Sequence, residues 1–522
     1  MVIRSTRTNT IVRPVLYQLG RVGDGFTVGD GPLDLSSAPR PLLFGRRDDP
    51  PAKADLARVD IDDPWMSLRH ARIVEGTRVP TTVASTAVRL FIEDLGSKNG
   101  VIVNGASSPR VPLIQGDIIE TGRTFWAFVE ERGLEPLLAA PVELGAMATW
   151  HPRLGHQLIE LMRAAPTDHV LITGPDGTGK GFLARTLHQV ARRDGRFLHL
   201  DCKERRPRSI VIDVFGAAGG PQGKLRDAGA GTLLLENIDA LAPDVQDRLA
   251  DALVRRAFLP EGRPSTRPVS LELRLCATIS RSATSPNVFS SLRPALREVL
   301  SVCRVDLPPL EERACDLGLL LDDFLSRAKG APSIARDACR SLFRYRFPQN
   351  VRGFARVVEA AASLAVEDER RGKMGVIELR HLPFCVAGAE AMRGLLAQAQ
   401  GLAVDDPELT GQVPVLSATG YDVPVPLDLA SDAFSSVIET DTEQPQPVLS
   451  SVLSRRAGTA SVIESDHQQI WAEVEEVDSA ALVAALKHAH GNVSAAARAL
   501  RRPRGLVLRW LRDLNLDPLS YR

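Results

Sequence analysis

The stretch Gly174 to Gly181, GPDGTGKG, constrains this chain more than any other. It follows the apolar run VLIT and opens the helix-patterned stretch GFLARTLHQVARR, after which FLHLDC reads as a second strand. Strand, glycine-rich turn, helix and strand in that order make a βαβ unit, so the segment belongs on a parallel sheet. Gly174, Gly177, Gly179 and Gly181 let backbone N–H groups converge on phosphate oxygens. Thr178 sits among them, the helix N-terminus adds a favourable dipole, and Lys180 supplies a point charge. The pattern departs at its last position, where Gly181 replaces the Ser or Thr whose hydroxyl helps to hold Mg²⁺.

A chain of 522 residues has room for several such segments, and 44% apolar with 25% charged residues supports sizeable cores. The net charge of +0 excludes a basic coat over the whole chain, so any nucleic-acid site is confined to one segment. The six cysteines, Cys202, Cys276, Cys303, Cys315, Cys339 and Cys385, include no C-x-x-C pair and read as neither a disulfide framework nor a zinc site. The start, MVIRSTRTNTIVRPVL, lacks the apolar run of a signal peptide, and no stretch is long and apolar enough for a bilayer span. A cytoplasmic protein with no membrane partner is expected.

Texture divides the chain into four parts. Residues 20–132 carry short apolar runs such as VRLFIEDL and GVIVNG between Gly, Pro and Asp, which predicts an all-β sandwich. Residues 148–386 alternate strands with longer helical stretches, which predicts an α/β module. Residues 391–478 mix Pro, Ser, Thr and acidic residues with few aromatics, the composition of a mostly disordered acidic linker. Residues 479–522 reverse the charge, with Lys487, Arg498, Arg501, Arg502, Arg504, Arg509, Arg512 and Arg522 against Asp513 and Asp517.

In the first part, Gly45-Arg46, Ser67-x-x-His70 and Asn99-Gly100 within EDLGSKNGVIVNG, followed by Gly116-Asp117, stand at positions where the chain resembles a forkhead-associated (FHA) domain. That resemblance implies a β-sandwich whose loops bind phosphothreonine. A doubly charged phosphate suits a guanidinium fork at Arg46, a hydroxyl donor at Ser67 and a polar clamp at Asn99. Lys98 and Arg69 add positive charge, and the resemblance implies that His70 props the loops from beneath. The alternative is a sandwich that has lost its ligand and serves for docking.

The second part resembles the AAA+ domain of sigma-54-dependent transcriptional activators. GPDGTGKG, LDC at Leu200 to Cys202, VFG at Val214 to Gly216, GTLLLENIDAL, LPPLEER at Leu307 to Arg313 and FPQNVRGF at Phe347 to Phe354 recur in the family's order. The resemblance implies an ATP site, a helical lid, homo-oligomers, a sensor arginine at Arg352 and an intersubunit arginine at Arg293. It also shows departures. The family's Asp-Glu pair, which positions Mg²⁺ and activates water, reads Glu236-Asn237; Glu236 keeps a carboxylate for the metal, whereas Asn237 cannot take a proton. Loss of a general base costs on the order of 10²- to 10⁴-fold in rate. The second intersubunit arginine falls at Val299, with Arg297 beside it, and the sensor Thr-Asn reads Ile279-Ser280. Between VFG and GTL the family's GAFTGA loop, which grips sigma-54, is replaced by the shorter AAGGPQGKLRDAGA. The expectation is ATP binding with poor hydrolysis, and no activation of sigma-54 polymerase.

The last part, ALVAALKHAHGNVSAAARALRRPRGLVLRWLRDLNL, resembles the Fis-type helix-turn-helix that ends these regulators. Gly491-Asn492 breaks the first helix, and Val507, Leu511 and Leu514 set one apolar face on the third. Arg504, Arg509 and Arg512 lie off that face and can meet double-stranded DNA, most contacts falling on phosphate. The expected whole is a multidomain regulator: an FHA sandwich, an α/β AAA+ module with lid, and a small all-α helix-turn-helix. A Ser/Thr kinase upstream would write its phosphothreonine on a partner or on the linker, at Thr410, Thr440 or Thr459. The rival readings are a working sigma-54 ATPase and a phosphoprotein scaffold that binds no DNA.

Overall fold

The computed structural model describes residues 12–47, 57–76, 89–132, 135–203, 207–262, 268–280, 288–328, 330, 332–370, 375–388 and 479–488. All of the expected linker, 391–478, and most of the segment expected to form a helix-turn-helix, including Arg504, Arg509 and Arg512, lie outside these residues. Contact clustering divides the chain into two units, the first comprising 1–142, 149–185 and 193–425 and the second 143–148, 186–192 and 426–522.

The first unit begins with a β-sandwich, whose leading strand starts at Val12, ahead of residue 20. One sheet runs β2 (Phe26–Val28), β1 (Val12–Val22), β12 (Thr124–Arg132), β11 (Ile118–Thr121), β8 (Val101–Val103), β9 (Ala106–Ser107), with β3 (Pro32–Asp34) also on β1. The other runs β10 (Arg110–Pro112), β7 (Leu90–Asp94), β6 (Ala71–Glu75), β4 (Leu42–Arg46), β5 (Arg58–Ile61). Alternation drives the packing: along Ala71–Glu75, Ala71 and Ile73 are buried while Arg72 is exposed. The inward residues of both sheets, among them Leu16, Phe44, Ile73, Ile92, Ile119 and Trp126, form one core. The Trp126 indole meets Phe44 edge-on at 5.6 Å and donates to Thr121 Oγ1 at 2.9 Å, so its polar edge is satisfied although buried. The loops at one end of this sandwich carry Arg46, Ser67 and Asn99.

Beyond a hairpin of β13 (Val142–Leu144) and β14 (Met147–Thr149) comes a five-stranded parallel sheet. Its order is β16 (Phe197–Asp201), β17 (Thr232–Glu236), β20 (Arg274–Ser280), β15 (Val170–Gly174), β21 (Arg304–Asp306), while β18 (Ala257–Phe258) and β19 (Val269–Ser270) pair separately. Strands covered on both faces read as apolar runs rather than alternations, and VLITG of β15 is buried at every position. The helices are α1 (Pro152–Arg163), α2 (Lys180–Val190), α3 (Pro207–Phe215), α4 (Lys224–Asp227), α5 (Pro243–Arg255) and α6 (Pro294–Ser301). α1, α5 and α6 each open on proline, whose missing N–H is no loss in a first turn; the His151 side chain caps α1 by accepting from Leu154 N. A helical layer follows: α7 (Leu317–Arg327), α8 (Arg336–Arg344) and α9 (Asn350–Arg370). α10 (Ser479–His488) is the described part of the C-terminal segment and belongs to the second unit.

Among the described residues no helix is long and apolar enough to cross a membrane, and no cluster of His, Cys, Asp or Glu could by itself hold a metal. The six cysteines are free. Burial pushes the Cys202 and Cys276 thiols up to about 12, leaving them inert as nucleophiles near neutral pH.

Candidate functional site

The chain holds two candidate phosphate sites. In the sandwich, Gly45 lies so close to Leu68 that a Cβ there would meet the Leu68 carbonyl oxygen at 1.9 Å. That close approach lets Arg46 N donate to Ser67 O at 3.0 Å, which brings the exposed Arg46 guanidinium and the Ser67 hydroxyl to one edge. His70 is fully buried beneath them. Its Nδ1 accepts from Ser67 N and its Nε2 donates to Gly100 O, each at 3.1 Å, which ties both loops to one neutral imidazole. Burial, the dominant influence, holds this imidazole below the usual histidine pKa. Ser67 Oγ accepts from Lys98 N at 3.1 Å and Asn99 Nδ2 donates to Trp65 O at 2.6 Å, so Arg46, Ser67, Lys98 and Asn99 share one rim. Asp63, buried and overlooked in the sequence, organises the loop by accepting from Trp65 N, Arg123 N and Thr124 Oγ1. An aspartate between DID and PW carries no local signal of that role.

The second site lies at the C-terminal edge of β15. Gly174, Gly177 and Gly179 have φ of +146°, +76° and +103°, conformations that favour glycine, and a Cβ on Gly177 would collide with Gln349 O at 2.1 Å. A Cβ on Gly179 would meet nothing within 4 Å, so the loop opens towards free space. Lys180 Nζ donates to Gly174 O and Pro175 O, both at 3.0 Å, and lies 3.5 Å from Asp176. Its side chain is only 10% exposed. Burial lowers its pKa, against the opposing pull of Asp176 and Glu236. Thr178 Oγ1 is turned inward to Pro175 O at 2.8 Å.

FPQNVRGF meets this loop from the helical layer. Arg352 N donates to Gly177 O at 3.0 Å, while its exposed guanidinium is close enough to depress the Lys180 pKa. Asn350, in the left-handed region at φ 51°, donates from Nδ2 to Asp176 O and accepts Leu310 N at Oδ1. Buried Arg313 donates to Thr178 O at 2.8 Å. The sequence singled out Arg352 but not Asn350 or Arg313, since neither residue type is unusual beside a helix start. Arg293 stands apart, capping the backbone start of α6 with Nε 3.2 Å from both Asp247 carboxylate oxygens and a half-exposed side chain. No bond joins it to the glycine loop.

The acidic positions explain one another. A Cβ on Gly181 would lie 2.7 Å from Glu236 Oε1, so the longer Glu236 occupies the space a side chain at 181 would need. Glu236 also lies 3.5 Å from His199 Nε2. Asn237, left-handed at φ 53°, donates from Nδ2 to Asp201 Oδ1 at 2.9 Å, and its Oδ1 lies 3.2 Å from Ser280 Oγ. Ser280 Oγ also reaches Asp176 Oδ1 at 2.6 Å; this contact, first among several, holds the Asp176 carboxyl low. Asp239 stays off this chain, with a buried Oδ1 that has no hydrogen-bond partner among the described residues. The glycine cradle and Lys180 therefore fit a triphosphate. Glu236 fits Mg²⁺, which takes one or two carboxylates beside phosphate and water. Beside it stands Asn237, whose amide nitrogen is engaged with Asp201.

Residues 42–122 match the FHA domain family, and residues 150–305 match the Sigma-54 interaction domain family. The chain is 30% identical over 291 residues to the transcriptional regulatory protein ZraR of Salmonella typhimurium, covering 53% of this chain and 64% of that protein. It is 33% identical over 231 residues to the C4-dicarboxylate transport transcriptional regulatory protein DctD of Rhizobium meliloti, covering 41% and 49%. It thus spans between about half and two thirds of these relatives' lengths. Among solved structures, NtrX from Brucella abortus in complex with ATP is 22% identical over 52% of this chain and 69% of its own, with a TM-score of 0.39. The chain carries an FHA domain and a sigma-54 interaction module of the AAA+ class.

Proposed function

We propose that this protein is a DNA-binding transcriptional regulator that reads a phosphothreonine through its FHA loops. It binds ATP in its AAA+ module and turns it over slowly. The observation that carries this reading is the state of Asn237, an amide bonded to Asp201 at the position where a proton acceptor is required. Lys180 and the N–H groups of Gly177, Thr178 and Gly179 supply donors for phosphate oxygens, and Arg352 adds charge from the lid. With Glu236 as its one carboxylate ligand, Mg²⁺ when bound would offset charge on the phosphates. Binding needs only donors, which are kept. Turnover needs a base, which is missing.

In the sandwich, Arg46 and Ser67 take the phosphate, Lys98 adds charge and Asn99 holds the peptide backbone. Arg504, Arg509 and Arg512 contact DNA, a role supported by the regulatory proteins the chain resembles. A homo-oligomer follows from the AAA+ class, with Arg293 presented at an exposed edge for a neighbour. A second reading, a working ATPase acting on sigma-54 polymerase, draws on the match at 150–305. Against it stands the stretch after VFG, which closes tightly: Ala217 N donates to Pro221 O, and a Cβ on Gly223 would meet Gly216 N at 2.2 Å.

Selection of DNA fragments on the full chain, beside a chain lacking 479–522, tests the reading. Sequence-specific capture that weakens steeply with salt and disappears on truncation is expected. Equal capture by both would overturn it. Phosphate release by the full chain on such DNA, at rates ordinary for ATPases, would favour the second reading.

A further inference from the structure

The sandwich and the helical layer of the AAA+ module meet around a buried carboxylate. Glu120 of β11 is only 3% exposed. Arg340 of α8, itself 2% exposed, holds it from two nitrogens, Nε to Oε2 at 2.7 Å and Nη2 to Oε1 at 2.9 Å. Arg336, one turn earlier, lies 3.3 Å from Oε1. Phe343 of the same helix packs edge-on against Phe125 and Phe26, at 5.5 and 6.1 Å. At α7 a Cβ on Gly318 would meet Leu19 O of β1 at 1.8 Å, so helix and strand backbones touch.

Each side of this contact leads to a phosphate site. Glu120 enters the β11–β12 turn, where Gly122 at φ +66° has room for no Cβ against Asp63 Oδ2, 2.7 Å away. Asp63 then holds Arg123 N and Thr124 Oγ1 of the turn together with Trp65 N of the recognition loop. Trp65 O in turn accepts Asn99. On the other side, the 3-10 helix Leu310–Asp316 packs on β1 and β12 while its Arg313 donates to Thr178 O in the glycine loop. Asp316 of that turn accepts from Thr149 Oγ1 and Trp150 N, both at 2.7 Å. α8 runs on into α9, whose Asn350 and Arg352 bond the backbone of Asp176 and Gly177.

A buried ion pair is weak evidence for stability, because desolvation offsets much of its attraction. What it does impose is register, since sliding the helix off Glu120 would leave a buried charge unpaired. We propose that Glu120 clamps the FHA sandwich to the AAA+ lid, so that phosphothreonine in the sandwich and nucleotide in the glycine loop change each other's affinity. This rests on the two-ligand reading above. Linkage then requires both effects to be of equal size.

Hydrogen exchange on the full chain with ADP as the probe tests it. The expected result is slowed exchange in 174–181, in 118–124 and in 61–67. In Glu120→Gln the protection at 174–181 persists, while the ADP-induced change in the sandwich falls by about five-fold or more, the low end of ordinary coupling. Arg336→Ala, which removes only the partly exposed partner, gives the same pattern in weaker form and covers the case in which Glu120→Gln does not fold. Protection at 174–181 with an unchanged sandwich in the wild type would overturn the coupling and leave the nucleotide site standing. Undiminished sandwich protection in both variants would also overturn it. No protection at 174–181 would sink both readings.

Discussion

The two candidate phosphate sites answer the same electrostatic problem with different completeness. In the sandwich every group needed for its task is present, and a buried neutral histidine holds Ser67 and Gly100 in place from below. At the glycine loop the donors are equally well placed, and the proposed loss of turnover rests on the two positions 236 and 237. Glu236 fills the space beside Gly181, and Asn237 ties itself to Asp201. Recognition asks for donors and shape. Turnover asks in addition for a proton acceptor, and a site can lose that while its architecture remains intact.

Predictions that sharpen this contrast run from large to small. The Asn237–Asp201 bond places amide and carboxylate in a pair that can be exchanged. Asp201→Asn with Asn237→Glu keeps one donor facing one acceptor and puts a carboxylate at 237. Phosphate release should rise on the order of 10²-fold with ATP affinity unchanged. An unchanged rate would mean that the missing base is not what limits turnover.

Arg46→Ala removes a charge-assisted contact worth about 1.5–3 kcal/mol, so affinity for a phosphothreonine peptide library should fall roughly 10- to 100-fold. ATP affinity in the absence of peptide should not move. Phosphopeptide binding equal to the wild type would instead favour a sandwich kept for docking.

Gly181→Ser forces Glu236 aside, whereas Glu236→Asp opens the space it needs. Urea melts of both single variants and the double should therefore be non-additive, with a favourable coupling of about 1 kcal/mol. Additivity would show that the two positions do not compensate one another.

The smallest effect is one of pH. His70 has its folded pKa held below the ordinary 6.5. The unfolded chain takes up that proton first as pH falls, so stability is full above about 6.5 and is lost as pH drops through the lower folded value. Melting temperature against pH should thus decline on the acid side, and His70→Gln should flatten part of that decline. Burial likewise lowers the pKa of Lys180 in the glycine loop from its ordinary value.

Much of this was legible in the sequence where a backbone conformation demands a residue type. GPDGTGKG between an apolar strand and a helix admits few structures, and its glycines at positive φ are required by the turn. Arg46, Ser67 and Asn99 were singled out by the resemblance to an FHA domain, and the fold brings their loops to one rim. What stayed hidden depends on partners distant in sequence. Glu120 reads as an ordinary strand residue until Arg340, 220 positions away, closes on it. Asp63, Asn350 and Arg313 are likewise defined only by the loops they join. The first strand begins ahead of the boundary expected at residue 20, because pairing with β12 carries it from Val12 to Arg21.

The central claim is tested most directly by measuring ATP binding and hydrolysis on the same preparation of the full chain, beside Lys180→Ala. Saturable binding that Lys180→Ala abolishes, with turnover at least about 10²-fold below the ~10 s⁻¹ of an ordinary enzyme, is the predicted result. Turnover near ~10 s⁻¹ that Lys180→Ala removes would contradict it.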